Sequence, residues 1–296
     1  MDLGEAIKKF VTDGCTISFG GFTGRDPEAA AYEIVRQKKQ DLCVFDDTKQ
    51  TLLDILVGAG CVKEISAAYV AQSAIDLAYN LNRAINEGIP RKVTIRRNWS
   101  NFTAGLAMFA AAAGIPFIPT RSLIGSDIVK DNDMVKIIDN PFKDLFPEVE
   151  KIPVVAAAKI DVAIIHAQLA DPQGNAQIFG AAGSDEVRAR AARHVIITCE
   201  RIVPNERIRL LPQATIIPSY CVDAVVEVPF GSHPWQCYGC YWQDVPFYLE
   251  LGRKSRTYEG FLEWLNEWVY SVSNHEEYCN NCLLYTSDAA DELDGV

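Results

Sequence analysis

At 296 residues, with 49% hydrophobic and 23% charged residues, the chain has an ordinary globular composition and can bury roughly three quarters of its unfolded surface without a metal or disulfide staple. A formal net charge of −11 excludes the basic stripe that nucleic acid needs, although a small anion can still be held where a few N–H groups and arginines converge. No apolar run reaches the ~18 residues of a membrane span, and Met1–Lys9 lacks a basic segment leading into an apolar one, so a soluble, cytoplasmic protein with reduced cysteines is expected.

An amphipathic pattern predicts a helix over Leu3–Val11, followed by a short strand Thr16–Phe19 that ends at Gly20-Gly21. Pro27 suits the start of a helix over Glu28–Arg36, and Leu42–Phe45 reads as the next strand, completing a right-handed β-α-β crossover. The alternation continues with a helix Thr51–Leu56, a strand Glu64–Val70, a helix Ile75–Ile85, a strand Val93–Ile95 and an alanine-rich helix Phe102–Ala113. Such alternation predicts an α/β fold with a mostly parallel sheet.

Between 125 and 150 the pattern breaks at Ser126-Asp127, Asp131-Asn132-Asp133 and Asn140-Pro141, which reads as a long irregular excursion. Apolar strands resume after Pro153. Ile160–Ala167 is a continuous β-branched run, Asp171-Pro172-Gln173-Gly174 fits a type I turn, Ser184–Arg193 is helical with Asp185 and Glu186 at the positive end of its dipole, and Val195–Cys199 is apolar again. Nothing in this stretch resembles a nucleophile. Phe261, Leu265, Trp268 and Val272 form one stripe of a helix over Tyr258–Val272, expected in the core or at a subunit contact. Residues 1–281 are expected to form a single domain. Residues 282–296 have no periodicity and resemble translated sequencing adapter, so a non-native or disordered tail is expected there.

Gly20-Gly21-Phe22 with Arg25 joins a strand end to a helix start, where open parallel sheets bind ligands. The glycines permit close backbone approach, free N–H groups favour an oxyanion, and Arg25 adds charge. The spacing is neither GxGxxG nor GxxxxGKS, so no dinucleotide or P-loop site is indicated. Ser73 is placed with these residues as a pocket candidate, and with no histidine at a motif spacing it does not indicate a serine hydrolase. His233, Pro234 and Gln236 are candidates for a pocket wall or interface. His166 reads as structural, and Glu200 as an acid that holds a loop more readily than it catalyses. Two CxxC pairs, Cys237/Cys240 and Cys279/Cys282, suggest zinc, but 38 residues separate Cys240 from Cys279, beyond zinc-ribbon spacing. Packed thiols and no metal are expected.

Taken together, Gly20-Gly21-Phe22-Thr23 with Pro27, Val57-Gly58-Ala59-Gly60, Pro116-Phe117-Ile118-Pro119, Asp139-Asn140-Pro141-Phe142, Asp161–Gln168, Thr198-Cys199-Glu200, Cys221–Val226 and His233-Pro234 with Gln236–Gly239 resemble the A (alpha) subunit of family I coenzyme A transferases, the glutaconate branch above all. The resemblance implies a three-layer α/β fold. It implies CoA transfer from an acyl-CoA to a small carboxylic acid, with coenzyme A as substrate and no permanently bound cofactor. It also implies a partner B subunit whose glutamate forms a glutamyl-CoA intermediate, with no catalytic residue in this chain.

Two departures bear on substrate. Phe45–Thr51 stands where the glutaconate branch has a glycine-rich loop, which hinders backbone approach and points to a different acyl group. Asn101 stands where related CoA-dependent ring-opening hydrolases carry an acid, which weighs against that alternative. A further alternative is a non-catalytic ligand-binding domain on the same fold.

Overall fold

The computed structural model describes residues 1–22, 24–71 and 77–282. Its strands are β1 (Thr16–Phe19), β2 (Leu42–Lys49), β3 (Val62–Val70), β4 (Thr94–Asn98), β5 (Phe117–Pro119), β6 (Val135–Asp139), β7 (Lys151–Ala156), β8 (Ile160–Ala170), β9 (Ala176–Gln177), β10 (Ala192–Ile202), β11 (Thr215–Ile217) and β12 (Ala224–Glu227). The helices are α1 (Leu3–Phe10), α2 (Glu28–Arg36), α3 (Thr51–Gly58), α4 (Tyr79–Asn86), α5 (Asn101–Ala112), α6 (Ile128–Asp131), α7 (Asp185–Ala191), α8 (Asn205–Arg209), α9 (Val245–Lys254) and α10 (Tyr258–Leu265), with a last helix over residues 275–282.

A parallel sheet in the order β12-β10-β8-β1-β2-β3-β4 forms the middle layer, and β9 with β11 extends it antiparallel beside the end of β8. Both faces are covered. Val162 and Ile164 enter a core shared with α1, α2, α3 and the C-terminal helices, while Ala163, Ile165 and Ala167 enter the opposite one with Ala189 of α7. Burial on both sides is why β8 reads as an unbroken apolar run rather than an alternating one. The chain therefore has the expected three-layer α/β architecture.

Connections from β1 step one way across the sheet, through β2 and β3 to β4, whereas those from β8 step the other way, to β10 and β12. The crevice outside the carboxyl ends of β1 and β8 is thus the topological switch point, where ligands bind in open parallel sheets.

Several expectations change. The stretch near 125–150 is not irregular throughout: it contributes α6 and β6, and β6 pairs antiparallel with β7, which also pairs with β5, in a separate three-stranded sheet. Strand β2 does not stop at Phe45 but runs to Lys49, so Phe45–Lys49 is strand rather than loop. Among the described residues α4 begins at Tyr79; Ile75 and Asp76 lie outside them. The helix expected over Tyr258–Val272 passes at Asn266–Tyr270 into a π turn, yet Phe261, Leu265, Trp268 and Val272 are all buried as the stripe predicts. Of the tail, Cys282 belongs to the last helix, and 283–296 lie outside the described residues.

Candidate active site at the carboxyl edge of the sheet

Strand β1 ends in a turn built against its neighbours. Gly20 N–H donates to the Ile164 carbonyl at 2.8 Å. A Cβ on Gly20 would lie 2.7 Å from Ile165 Cγ2. Gly21 has φ +92°, and a Cβ there would meet the Asp26 nitrogen at 2.7 Å, so both positions require the absence of a side chain. Gly21 N–H donates to Asp185 Oδ1 at 3.1 Å, and Phe22 N–H to the Gly24 carbonyl at 3.1 Å. The amides expected to serve as oxyanion donors are therefore engaged within the chain, and what the turn presents outward is shape. Phe22 is 39% exposed.

Arg25 is not available to a ligand either. Its side chain is fully buried, Nη1 donates to the His166 carbonyl at 2.8 Å, and Nη2 donates to the Ala181 carbonyl at 2.7 Å and to Asp185 Oδ2 at 3.1 Å. Arg25 N–H donates to the Gln236 carbonyl at 2.9 Å, which ties the turn to the loop after β12.

Beneath the turn lies a closed ionic cluster that local sequence reasoning missed. Arg188, buried on α7, reaches Asp46 at 2.8 Å, Asp47 at 3.0 Å and Asp185 at 2.7 Å, and donates from Nε to Ser18 Oγ at 2.9 Å. Lys49 lies 3.6 Å from both Asp26 and Asp46 and donates to the Gly21 carbonyl at 3.1 Å. Three cations (Arg25, Lys49, Arg188) thus face four carboxyls (Asp26, Asp46, Asp47, Asp185). Burial raises Asp46 to about 6 and raises Asp26 as well. For Asp47 burial pulls the same way, but the charges of Arg188 and Lys49 outweigh it and hold the carboxyl well below its ordinary range. Arg188 stays protonated despite its burial because Asp46, Asp47 and Asp185 surround it. Asp185 therefore does more than complement a helix dipole, and Ser184, expected to open α7, makes no side-chain cap.

On the far side of β8, His166 Nε2 lies 2.7 Å from Glu200 Oε1 and Nδ1 lies 2.9 Å from Thr198 Oγ1. Glu200 also accepts from Tyr241 Oη at 2.8 Å and from Phe230 N–H at 2.9 Å. Burial resists ionisation of Glu200, but the His166 hydrogen bond and charge, with the Phe230 and Tyr241 bonds, lower its pKa overall. This is the loop-holding role read from sequence.

His233 is bonded on both ring nitrogens, to Tyr278 Oη at 2.6 Å and to Asp244 Oδ2 at 3.1 Å, and lines a cavity of about 250 Å³ with Phe230, Trp242 and Cys282. The Pro234 carbonyl accepts from Asp244 N–H, and Gln236 packs on Gly24. The structure thus joins Gly20, Gly21, Phe22, Arg25 and Gln236 at one edge and holds His233 and Pro234 behind it. Ser73 lies outside the described residues. No helix among the described residues is long and apolar enough to cross a membrane.

A three-layer sheet with a glycine turn at its switch point defines the class: the Coenzyme A transferase family model matches residues 1–228, and the chain belongs to that family. Among its relatives is the A subunit of glutaconate CoA-transferase from Acidaminococcus fermentans, 38% identical over 95% of this chain and 90% of that protein. Another is the A subunit of 3-oxoadipate CoA-transferase from Pseudomonas knackmussii, 33% identical over 94% of this chain and 96% of that one. The crystal structure of the Acidaminococcus fermentans glutaconate enzyme superposes with a TM-score of 0.87 at 37% identity, covering 95% of this chain and 92% of the matched chain.

Proposed function

We propose that this chain is the A subunit of a heteromeric CoA-transferase, shaping one wall of the site while a partner B subunit supplies the glutamate that is acylated. The observation that carries the reading is the closed ionic cluster. At the switch point Asp26, Asp46, Asp47 and Asp185 are each paired with Arg25, Lys49 or Arg188, and Glu200 is committed to His166, Tyr241 and Phe230. Recruiting any of these carboxylates as a nucleophile would break a buried pair, which costs about 3–5 kcal/mol before chemistry begins.

The transfer is ping-pong. The partner's carboxylate attacks the thioester carbon and expels CoA thiolate, leaving a mixed anhydride; the thiolate then attacks the glutamyl carbonyl, releasing the donor acid and leaving glutamyl-CoA. An acceptor carboxylate repeats the steps in reverse. In this scheme the Gly20–Phe22 turn, with Phe22 exposed, lines the acyl end of the site. The short chain path from Phe45 to Lys49 and the buried Asp46, Asp47 and Lys49 side chains leave no glycine loop there, which supports an acyl group other than glutaconyl.

A surface suited to the partner is exposed on the small sheet. Ile137, Ile138, Phe142, Leu145 and Phe146, in and after β6, are exposed apolar side chains, as is Phe117 on β5. Asn101 accepts from Thr48 Oγ1 at 2.7 Å and puts an amide where the hydrolase branch is expected to carry an acid, which supports transfer over hydrolysis.

The test is co-expression with the neighbouring open reading frame and an exchange assay with acyl-CoA and acetate. Exchange is expected from the co-purified complex and not from this chain alone. Turnover by the isolated chain would contradict the proposal.

A further inference from the structure

The CxxC pair Cys237/Cys240 has no part in the function argued above, and the structure places it differently from what its spacing to Cys279/Cys282 suggests. Cys237 Sγ, a ring nitrogen of His166 and a Glu200 carboxylate oxygen all lie within 4.8 Å of one another. These three come from the loop after β12, from β8 and from β10, so no sequence spacing announces them. Their meeting follows from register: β8 and β10 pair with His166 opposite Thr198, two residues before Glu200. Cys240 belongs to the same turn as Cys237. Cys240 N–H donates to the Cys237 carbonyl at 2.9 Å, and Cys237 and Tyr241 exchange backbone hydrogen bonds at 3.1 and 3.0 Å. Cys237 is buried and Cys240 is exposed, so the group has a closed inner side and an open mouth.

We propose that Cys237, Cys240, His166 and Glu200 form a site for a divalent cation of the zinc class, which ties the loop after β12 to the carboxyl ends of β8 and β10. Two thiolates, one imidazole and one carboxylate are a tetrahedral donor set that selects zinc over magnesium or calcium. Metal–ligand bonds of about 2.0–2.3 Å put tetrahedral donors roughly 3.3–3.8 Å apart. Cys237, His166 and Glu200 already lie within 4.8 Å of one another, whereas Cys240 stands outside that group and has to turn inward from the mouth to complete the set. His166 is oriented for the role. Thr198 Oγ1 stands at its Nδ1 and can accept a hydrogen bond there, leaving the Nε2 lone pair for the ion, and a Cβ on Gly231 would lie 2.6 Å from its Cε1, so the ring has no room to turn away. Glu200 keeps the Phe230 N–H on its other oxygen, while Tyr241 Oη shares the oxygen nearest His166.

A cation at this site has to displace the thiol protons. As the two metal–sulfur bonds form, each thiol releases its proton to solvent, so uptake is expected to strengthen as pH rises. The loop fixed in this way is the one whose Gln236 carbonyl receives Arg25 N–H, so the ion would brace the turn at the switch point from behind.

The experiment uses the full chain, purified with its partner where one co-purifies, stripped with a chelator and titrated with zinc sulfate or cobalt chloride. About one ion per chain, a raised Tm with zinc and a thiolate-to-cobalt charge-transfer band are expected. Cys240→Ser, at an exposed position that folding tolerates, should weaken binding by about tenfold or more and diminish the band, and Glu200→Gln should weaken it too. The double variant Cys279→Ser with Cys282→Ser should bind as the wild type does. Absence of both the band and the Tm shift, or unchanged binding in Cys240→Ser, would overturn the assignment.

Discussion

The carboxyl edge of the sheet and the C-terminal aromatic layer are equally buried but held by opposite means. At the edge, Arg25, Lys49 and Arg188 are enclosed with Asp26, Asp46, Asp47 and Asp185, and position depends on charge meeting charge. In the aromatic layer Tyr32, Phe247, Trp264, Trp268 and Tyr278 meet edge to face, with Phe247 and Trp268 centroids 4.8 Å apart and Tyr32 and Tyr278 5.3 Å apart. The second region is stabilised by area removed from water and tolerates conservative exchange. The first tolerates little, because deleting one member strands its partners. The stringent device lies under the turn that shapes the candidate site, where displacement would matter most.

The sharpest way to break this comparison is Arg188→Ala. It leaves Asp46, Asp47 and Asp185 without their guanidinium, and a loss of about 3–5 kcal/mol or more is expected in equilibrium urea unfolding. Arg188→Lys should recover only part, since a point charge cannot reach three carboxyls as the fork does. A loss under about 1 kcal/mol for Arg188→Ala would dissolve the contrast.

Phe261→Ala probes the other region. The ring packs where a Cβ on Gly58 would come within 2.4 Å of it, and its removal should cost about 3–4 kcal/mol by the same measurement, but with no dependence on pH between 5 and 7. Next comes Gly21→Ala. With φ +92° and the Asp26 nitrogen 2.7 Å from the new Cβ, about 1–3 kcal/mol of strain is expected, and exchange by the assembled complex should fall more steeply than stability does.

The smallest effect at neutral pH is expected from Asp46→Asn, which evens the cluster at three cations and three carboxyls, and it is read against pH. The folded-state carboxyl of Asp46 is raised to about 6, above its unfolded value, so the native state takes up this proton first as pH falls. The contribution of Asp46 therefore favours folding increasingly from pH 7 down to pH 5. Asp47, held low, stays ionised across that window and adds no slope. The wild type should gain stability relative to Asp46→Asn over this range; a parallel pair of curves would refute the account of the charge excess.

What could be read from the sequence follows the same division. Strand β1 and helix α2 have the bounds their apolar periodicity predicts, and the aromatic stripe points inward as its spacing requires. Asp46, Asp47 and Lys49 misled, because charges after Leu42–Phe45 look like a loop unless a partner is known, and Arg188 lies about 140 residues away in the chain. The readable trace was Asp185 with Arg188 at helical spacing, facing inward on α7. His166 and Glu200 gave a weaker trace still, a polar residue within an apolar strand and an acid at the end of one. Strand β6 escaped notice because only Val135 of its five residues is buried, so Val135–Asp139 has little pattern to show between Asn132 and Asn140.

The central claim is that this chain provides form and its partner provides the reacting group. The most direct measurement is peptide mapping by mass spectrometry after the co-purified complex has been given acyl-CoA and quenched. The account predicts a CoA or acyl adduct on a glutamate of the partner polypeptide and none on this chain. An adduct on Glu200, Glu28 or any other side chain of this polypeptide would contradict it.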